Sequence, residues 1–219
     1  MNSKKYIFLV EDNDELRSDL ERALQFCGYT IFSFANPEDF LREFKPLVPA
    51  VLVTDMRMPK QSGIELQSEL IAKGHKIPII FISGESTDQQ IVKAFKNGAF
   101  DFLLKPFSRE AFLSTVAKAI EQDTVAMQEL IRKSQLAEAL KTLSPRERQV
   151  FELLTKGYGN KELVDELGIS LPTVKEYKSE VMYKLRLRSL AELIALNTSL
   201  SWLKTTNELL WAALIVANI

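Results

Sequence analysis

Five short runs rich in β-branched and aromatic residues recur through the first half of the chain: YIFLV (6–10), TIFSF (30–34), AVLVT (50–54), PIIFI (78–82) and DFLL (101–104). Between and after them lie stretches with helical periodicity near 14–27, 37–45, 63–73, 87–97 and 108–122. Runs that are apolar on both faces fit a parallel sheet covered by helices on either side, since a sheet with one wet face alternates apolar and polar residues. Five such strand–helix units predict a doubly wound α/β domain over residues 1–122. Asn36-Pro37 and Ser108 supply helix starts, and Gly28, Gly74 and Gly98 supply stops.

Residues with chemistry follow those runs directly: Glu11-Asp12, Asp55, Ser83 and Lys105. In open parallel sheets, ligands bind beyond the carboxyl ends of the strands, where the strand order reverses. With the order 2-1-3-4-5, the first and third strands flank that reversal, so Glu11, Asp12 and Asp55 converge. Three neighbouring carboxylates repel one another unless a cation lies between them. Hard oxygen donors favour Mg²⁺, which keeps waters and takes up phosphate oxygens. An ionised carboxylate is a competent nucleophile toward phosphorus, and Lys105 could neutralise charge on a transferring phosphoryl group.

At 219 residues, 46% hydrophobic and 26% charged, the chain is long and apolar enough for two folded domains. Its net charge of −1 divides into −3 over residues 1–123, +1 over residues 124–143, +1 over residues 144–199 and zero over the rest. Any nucleic-acid contact must therefore come from local clustering of cations. The single cysteine, Cys27, excludes an internal disulfide and a cysteine metal cage, and its place late in a helix predicts a buried thiol. The one histidine, His75, reads as a surface loop residue. The apolar run in MNSKKYIFLV is too short for a signal peptide, so a cytoplasmic location without a membrane partner is expected.

Residues 116–141 lack Gly and Pro. Either the last helix of the first domain runs on as a linker over 123–142, or a second helix follows a break near Asp123-Thr124. At LSPRER (143–148), Ser144, Pro145 and Glu147 form a helix-start signature. Helices over 145–156, 160–167, 172–185 and 189–197 predict an all-α domain at 143–199. Lys175 and Lys178 are three apart on the third of these, with Thr173 and Ser179 nearby, a face that suits a major groove. Lys161, Lys184, Arg186 and Arg188 could add phosphate contacts, and Ser170 and Thr173 hydroxyls. Glu176 and Glu180 on the same helix weigh the other way. The extension 200–219 contains LLWAALIVA (209–217), too short to cross a bilayer. It is expected to pack on the neighbouring helices or within a homodimer.

Segment 4–122 resembles the receiver domain of two-component response regulators in VED (10–12), TDMRMPKQSG (54–63), FISG (81–84) and GAFDFLLKPF (98–107). Residues 143–197 resemble the LuxR-type helix-turn-helix of the NarL/FixJ regulators, with 160–167 as support helix, Gly168-Ile169-Ser170 as turn and Pro172–Leu185 as recognition helix. The first resemblance implies a flavodoxin-like fold in which Asp55 accepts a phosphoryl group from a cognate histidine kinase. Glu11 and Asp12 would hold Mg²⁺ with Asp55 and the backbone carbonyl of Arg57. Lys105 would pair with the phosphoryl group and precede a cis proline. Ser83 would move toward the phosphate while Phe102 rotates inward, and Arg57 and Glu85 would tune the lifetime of the phosphate.

The second resemblance implies contact with double-stranded DNA, with Tyr177 where the family often has His and Leu187 in place of a smaller residue, and with helix 189–197 as the dimer contact. The expected function is a phosphorylation-controlled transcriptional regulator that dimerises on phosphorylation. It would not be an enzyme beyond self-phosphorylation and slow autodephosphorylation. One alternative is a DNA-binding regulator whose receiver answers to a partner or to oligomerisation without phosphate. A hydrolase using Asp55 as nucleophile would need a second aspartate where Arg57 stands.

Overall fold

A computed structural model describes residues 4–84 and 87–199. Glu85 and the apolar extension 200–219, both the subject of expectations, lie outside the described residues. The chain divides into two compact units at Gln128/Glu129.

The first unit alternates strand and helix: β1 (Tyr6–Val10), α1 (Asp14–Phe26), β2 (Thr30–Phe34), α2 (Pro37–Glu43), β3 (Ala50–Asp55), α3 (Gly63–Ala72), β4 (Ile79–Ser83), α4 (Asp88–Lys96), β5 (Asp101–Leu104) and the start of α5 (Arg109–Lys141). All strand pairs are parallel, and the sheet order is β2-β1-β3-β4-β5, as expected. Successive strand residues feed opposite faces. Phe8, Val10, Leu52 and Phe81 pack with Phe40, Leu66, Leu70 and Ala94 on one face. Ile7, Leu9, Val51, Val53, Ile80 and Ile82 pack with Leu20, Leu24, Phe112, Val116 and Ile120 on the other. Each fully buried side chain of this kind contributes about 1.5–3 kcal/mol, so the central strands cannot slip register without losing both layers.

Local signals set the helix limits. Asn13, Asn36, Ser62 and Thr87 cap the starts of α1 to α4 through side-chain oxygens that accept backbone N–H groups. Gly28, Gly74 and Gly98 follow helix ends at φ of 79°, 79° and 84°, a region where a Cβ is costly.

Two expectations need correction, and the alternatives left open for α5 are decided. Cys27 is exposed, because α1 ends at Phe26 and the thiol falls in the turn beyond it. His75 is half-buried, its ring edge-on to Phe44 at 4.9 Å. Of the two readings near Asp123-Thr124, the continuous helix holds: α5 runs unbroken to Lys141. Asp123 is 7% exposed, and its Oδ2 accepts the backbone N–H of Ala50 at 2.8 Å. Burial pushes its carboxyl up to about 6, against the opposing effect of that hydrogen bond.

The second unit holds the end of α5, then α6 (Pro145–Thr155), α7 (Asn160–Leu167), α8 (Leu171–Lys184) and α9 (Leu190–Ser199). Ser144 and Glu147 form the expected capping box at α6. Gly168, at φ 63°, makes the turn between α7 and α8. Val150, Leu154, Leu163, Val174, Val181, Leu185 and Leu193 form its core, flanked by Leu136, Ala139 and Leu140 of α5. Of the stretch expected as a linker, Asp123 is bonded to β3 of the first unit, while Leu136, Ala139 and Leu140 pack on the core of the second. Among the described residues, no helix is long and apolar enough to cross a membrane.

Candidate functional site

The strand ends meet as the topology requires. Glu11 follows β1 and is 1% exposed, with its N–H donating to the Phe34 carbonyl at 3.1 Å. Asp12 beside it is exposed. Asp55 closes β3 at 7% exposure, and Ser83 closes β4 at 1%. Lys105 follows β5, its N–H donating to the Ser83 carbonyl at 2.8 Å. Ligand oxygens of Glu11, Asp12 and Asp55 all lie within 4.8 Å of one another.

The Lys105 Nζ bridges the cluster, donating to Asp55 Oδ2 at 2.5 Å and to Glu11 Oε2 at 3.0 Å. Asp55 Oδ1 accepts the Arg57 N–H at 2.8 Å, and Glu11 Oε1 accepts the Asn13 N–H at 3.3 Å. Burial raises the Glu11 carboxyl, and the Asp55 charge adds to this; the Lys105 ammonium opposes it without prevailing. Burial also pulls the Lys105 ammonium down, but its hydrogen bonds to Asp55 and Glu11 and their charges outweigh that, leaving it raised. One ammonium against three carboxylates leaves negative charge over, and the oxygen-only donor set suits a hard divalent cation. The residues present therefore fit such an ion.

Gly63 shapes the backbone beside Asp55, and sequence reasoning did not single it out. A Cβ there would collide with the Asp55 carbonyl oxygen, so only glycine lets the first turn of α3 approach that strand end, where its N–H donates to the Met56 carbonyl at 3.1 Å. The signal was present in the last residue of TDMRMPKQSG. Phe102 stands opposite Phe81 in the β4–β5 register and packs, partly buried, against the core cluster that contains Phe81. The Lys105-Pro106 bond is cis, as the resemblance implied.

In the second unit, α7, the Gly168 turn and α8 form the expected helix-turn-helix. Lys161, Ser170, Lys175, Arg186 and Arg188 are exposed, while Thr173 is half-buried. Ser170 caps α8 and shares a hydrogen bond of 2.8 Å with Thr173. Lys178 does not share the open face of Lys175: it is half-buried, with Nζ 3.4 Å from Asn160 Oδ1 of α7. Tyr177 packs against the core cluster. Lys184 departs furthest from expectation, donating to both oxygens of buried Glu147 at 2.8 Å, where its charge is already matched. That ammonium, with the Ser144 N–H, holds the Glu147 carboxyl below the usual range.

Comparison with known proteins agrees with both halves. Residues 7–117 match the response regulator receiver domain, and residues 141–196 match the luxR family of bacterial regulatory proteins. Nodulation protein W of Bradyrhizobium diazoefficiens is 38% identical over 199 residues, covering 91% of this chain and 88% of that protein. The transcriptional regulatory protein FixJ of Azorhizobium caulinodans is 35% identical, covering 86% and 89%. Among solved structures, the response regulator StyR is 36% identical with a TM-score of 0.75, covering 90% of this chain and all of that one. Full-length FixJ from B. japonicum is 34% identical with a TM-score of 0.57, covering 90% and 97%. The chain belongs to the NarL/FixJ family of two-component response regulators, a receiver joined to a LuxR-type DNA-binding domain.

Proposed function

We propose that Asp55 takes a phosphoryl group from a histidine kinase and that the resulting aspartyl phosphate favours a homodimer that binds double-stranded DNA and regulates transcription. The observation that carries this is the setting of the Asp55 carboxylate, at a strand end, beside Glu11 and Asp12 and bonded to Lys105. An Asp55 oxygen attacks the phosphorus of the phosphohistidine; the new O–P bond forms as the P–N bond breaks, and the imidazole leaves. Glu11, Asp12, Asp55 and the Arg57 carbonyl would hold Mg²⁺, which when bound neutralises charge on the transferring group. Lys105 already reaches Asp55 and keeps its proton in this setting, so it can follow the negative charge onto the phosphoryl oxygens. Ser83 supplies a hydroxyl at the neighbouring strand end, and Phe102 is placed on β5 to repack behind it as charge grows by about −1.5 to −2. The transfer is stoichiometric, with slow loss of the phosphate, so the chain acts as a switch and not as an enzyme.

The test is to treat the full chain with a small phosphodonor and Mg²⁺, then follow intact mass, oligomer size and DNA affinity for wild type and Asp55→Asn. The expected outcome is a gain of one phosphoryl group in the wild type alone, with tighter self-association and DNA binding. Equal DNA affinity and equal size in all samples would instead support control without phosphate.

A further inference from the structure

The core-facing side of α8 is defined by Val174 and Val181, both fully buried. At about 100° between successive residues, the opposite stripe is Glu176, Ser179 and Tyr183. All three are exposed, Tyr183 at 82%. Lys175 stands beside the stripe and is exposed as well. Among the described residues, none pairs with the Glu176 carboxylate by hydrogen bond or ion contact. The outward stripe of a recognition helix, toward its N-terminal end, is the part that meets base edges, so the first group it presents here is an anion.

A carboxylate can only accept hydrogen bonds, and near the phosphate backbone it is repelled unless it finds a donor. The major groove offers two kinds of base donor, the amino groups of cytosine N4 and adenine N6. The adenine amino group lies between adenine N7 and thymine O4, both acceptors that repel a carboxylate. The cytosine amino group has guanine O6 on one side and only the carbon edge of its own ring on the other. We infer that Glu176 is a specificity-determining residue that reads a cytosine in each half-site, accepting from its N4 amino group. This rests on the DNA-binding reading of the same helix and deepens it.

The experiment is selection from duplexes with a randomised centre, followed by sequencing, using the full chain with phosphodonor and Mg²⁺ as wild type, Glu176→Gln and Glu176→Ala. Thermal melting of the three proteins, expected to coincide, controls for folding. In the wild-type half-site one position prefers cytosine by roughly tenfold or more. Glu176→Gln moves that preference to adenine, because a carboxamide accepts from N6 while donating to N7. Glu176→Ala loses the preference at that position and keeps the rest of the motif. The same base at every position in all three proteins overturns the assignment, as do variants that melt normally but bind no duplex. A wild-type chain that enriches no motif overturns the DNA reading of α8 itself, and this assignment with it.

Discussion

At the scale of single residues, Lys105 is the side chain on which most of the receiver site depends. It satisfies two carboxylates that are nearly out of water, Glu11 and Asp55. Removing one partner of such a cluster leaves buried charge unmatched, a cost of order 2 kcal/mol once the partial exposure of Lys105 is allowed for. Lys105→Ala is therefore expected to lower the urea midpoint, and millimolar Mg²⁺ to restore much of the loss, because the ion takes over the neutralisation. A deficit that Mg²⁺ leaves untouched would count against a cation site here. The acidic residues and Lys105 were legible because each directly follows an apolar run. Cys27 was misjudged because periodicity alone does not say where α1 stops.

At the scale of elements, α8 shows what a linear reading can and cannot recover. Its limits were visible in Pro172 and Gly168, and its buried stripe in the spacing of Val174 and Val181. The commitment of Lys184 was not, because Glu147 lies 37 residues away on another helix. A lysine on a helix near expected DNA looks available until its partner is placed. The two lysines of α8 should therefore differ. Lys175→Met is expected to reduce the slope of log affinity against log salt by about one, as for the loss of one phosphate contact. Lys184→Met is expected to leave that slope unchanged and to lower thermal stability instead. Binding isotherms at several salt concentrations check both, and an equal fall in slope for Lys184→Met would return that residue to the interface. Helix α5 teaches the complementary lesson. Asp123 and Thr124 look like a weak point for a helix, yet Asp123 is held by the N–H of Ala50, 73 residues earlier in sequence.

At the scale of the whole molecule, the two units have separate cores, so a perturbation can be aimed at one of them. Asp123 offers such a handle through pH. Its carboxyl, raised from 3.8 to about 6, binds its proton more tightly in the folded than in the unfolded chain. The stability this contributes is complete below pH 3.8 and is lost as pH rises through 6, on the order of 3 kcal/mol in all. Asp123→Asn keeps an acceptor for Ala50 and removes the charge. Between pH 4 and 7 the difference in unfolding free energy between wild type and variant should shift in favour of the variant. That difference isolates Asp123 from His75, whose pKa burial depresses and which therefore acts with opposite sign. Hydrogen exchange at β3 follows the receiver core specifically, and a difference that does not change with pH would refute the assignment.

One strand ties these scales together. Strand β3 begins at Ala50, where the chain holds Asp123, and ends at Asp55, where the carboxylates gather. Six residues of extended chain make a gauge about 17 Å long between the two. Adding or deleting a single residue within it would misplace one terminus or the other, and would turn the intervening side chains to the wrong layer. Point substitutions that preserve volume can be absorbed in Val51 to Val53, but changes of length cannot. Homologous sequences that keep both ends of this gauge should therefore vary in composition here and never in count.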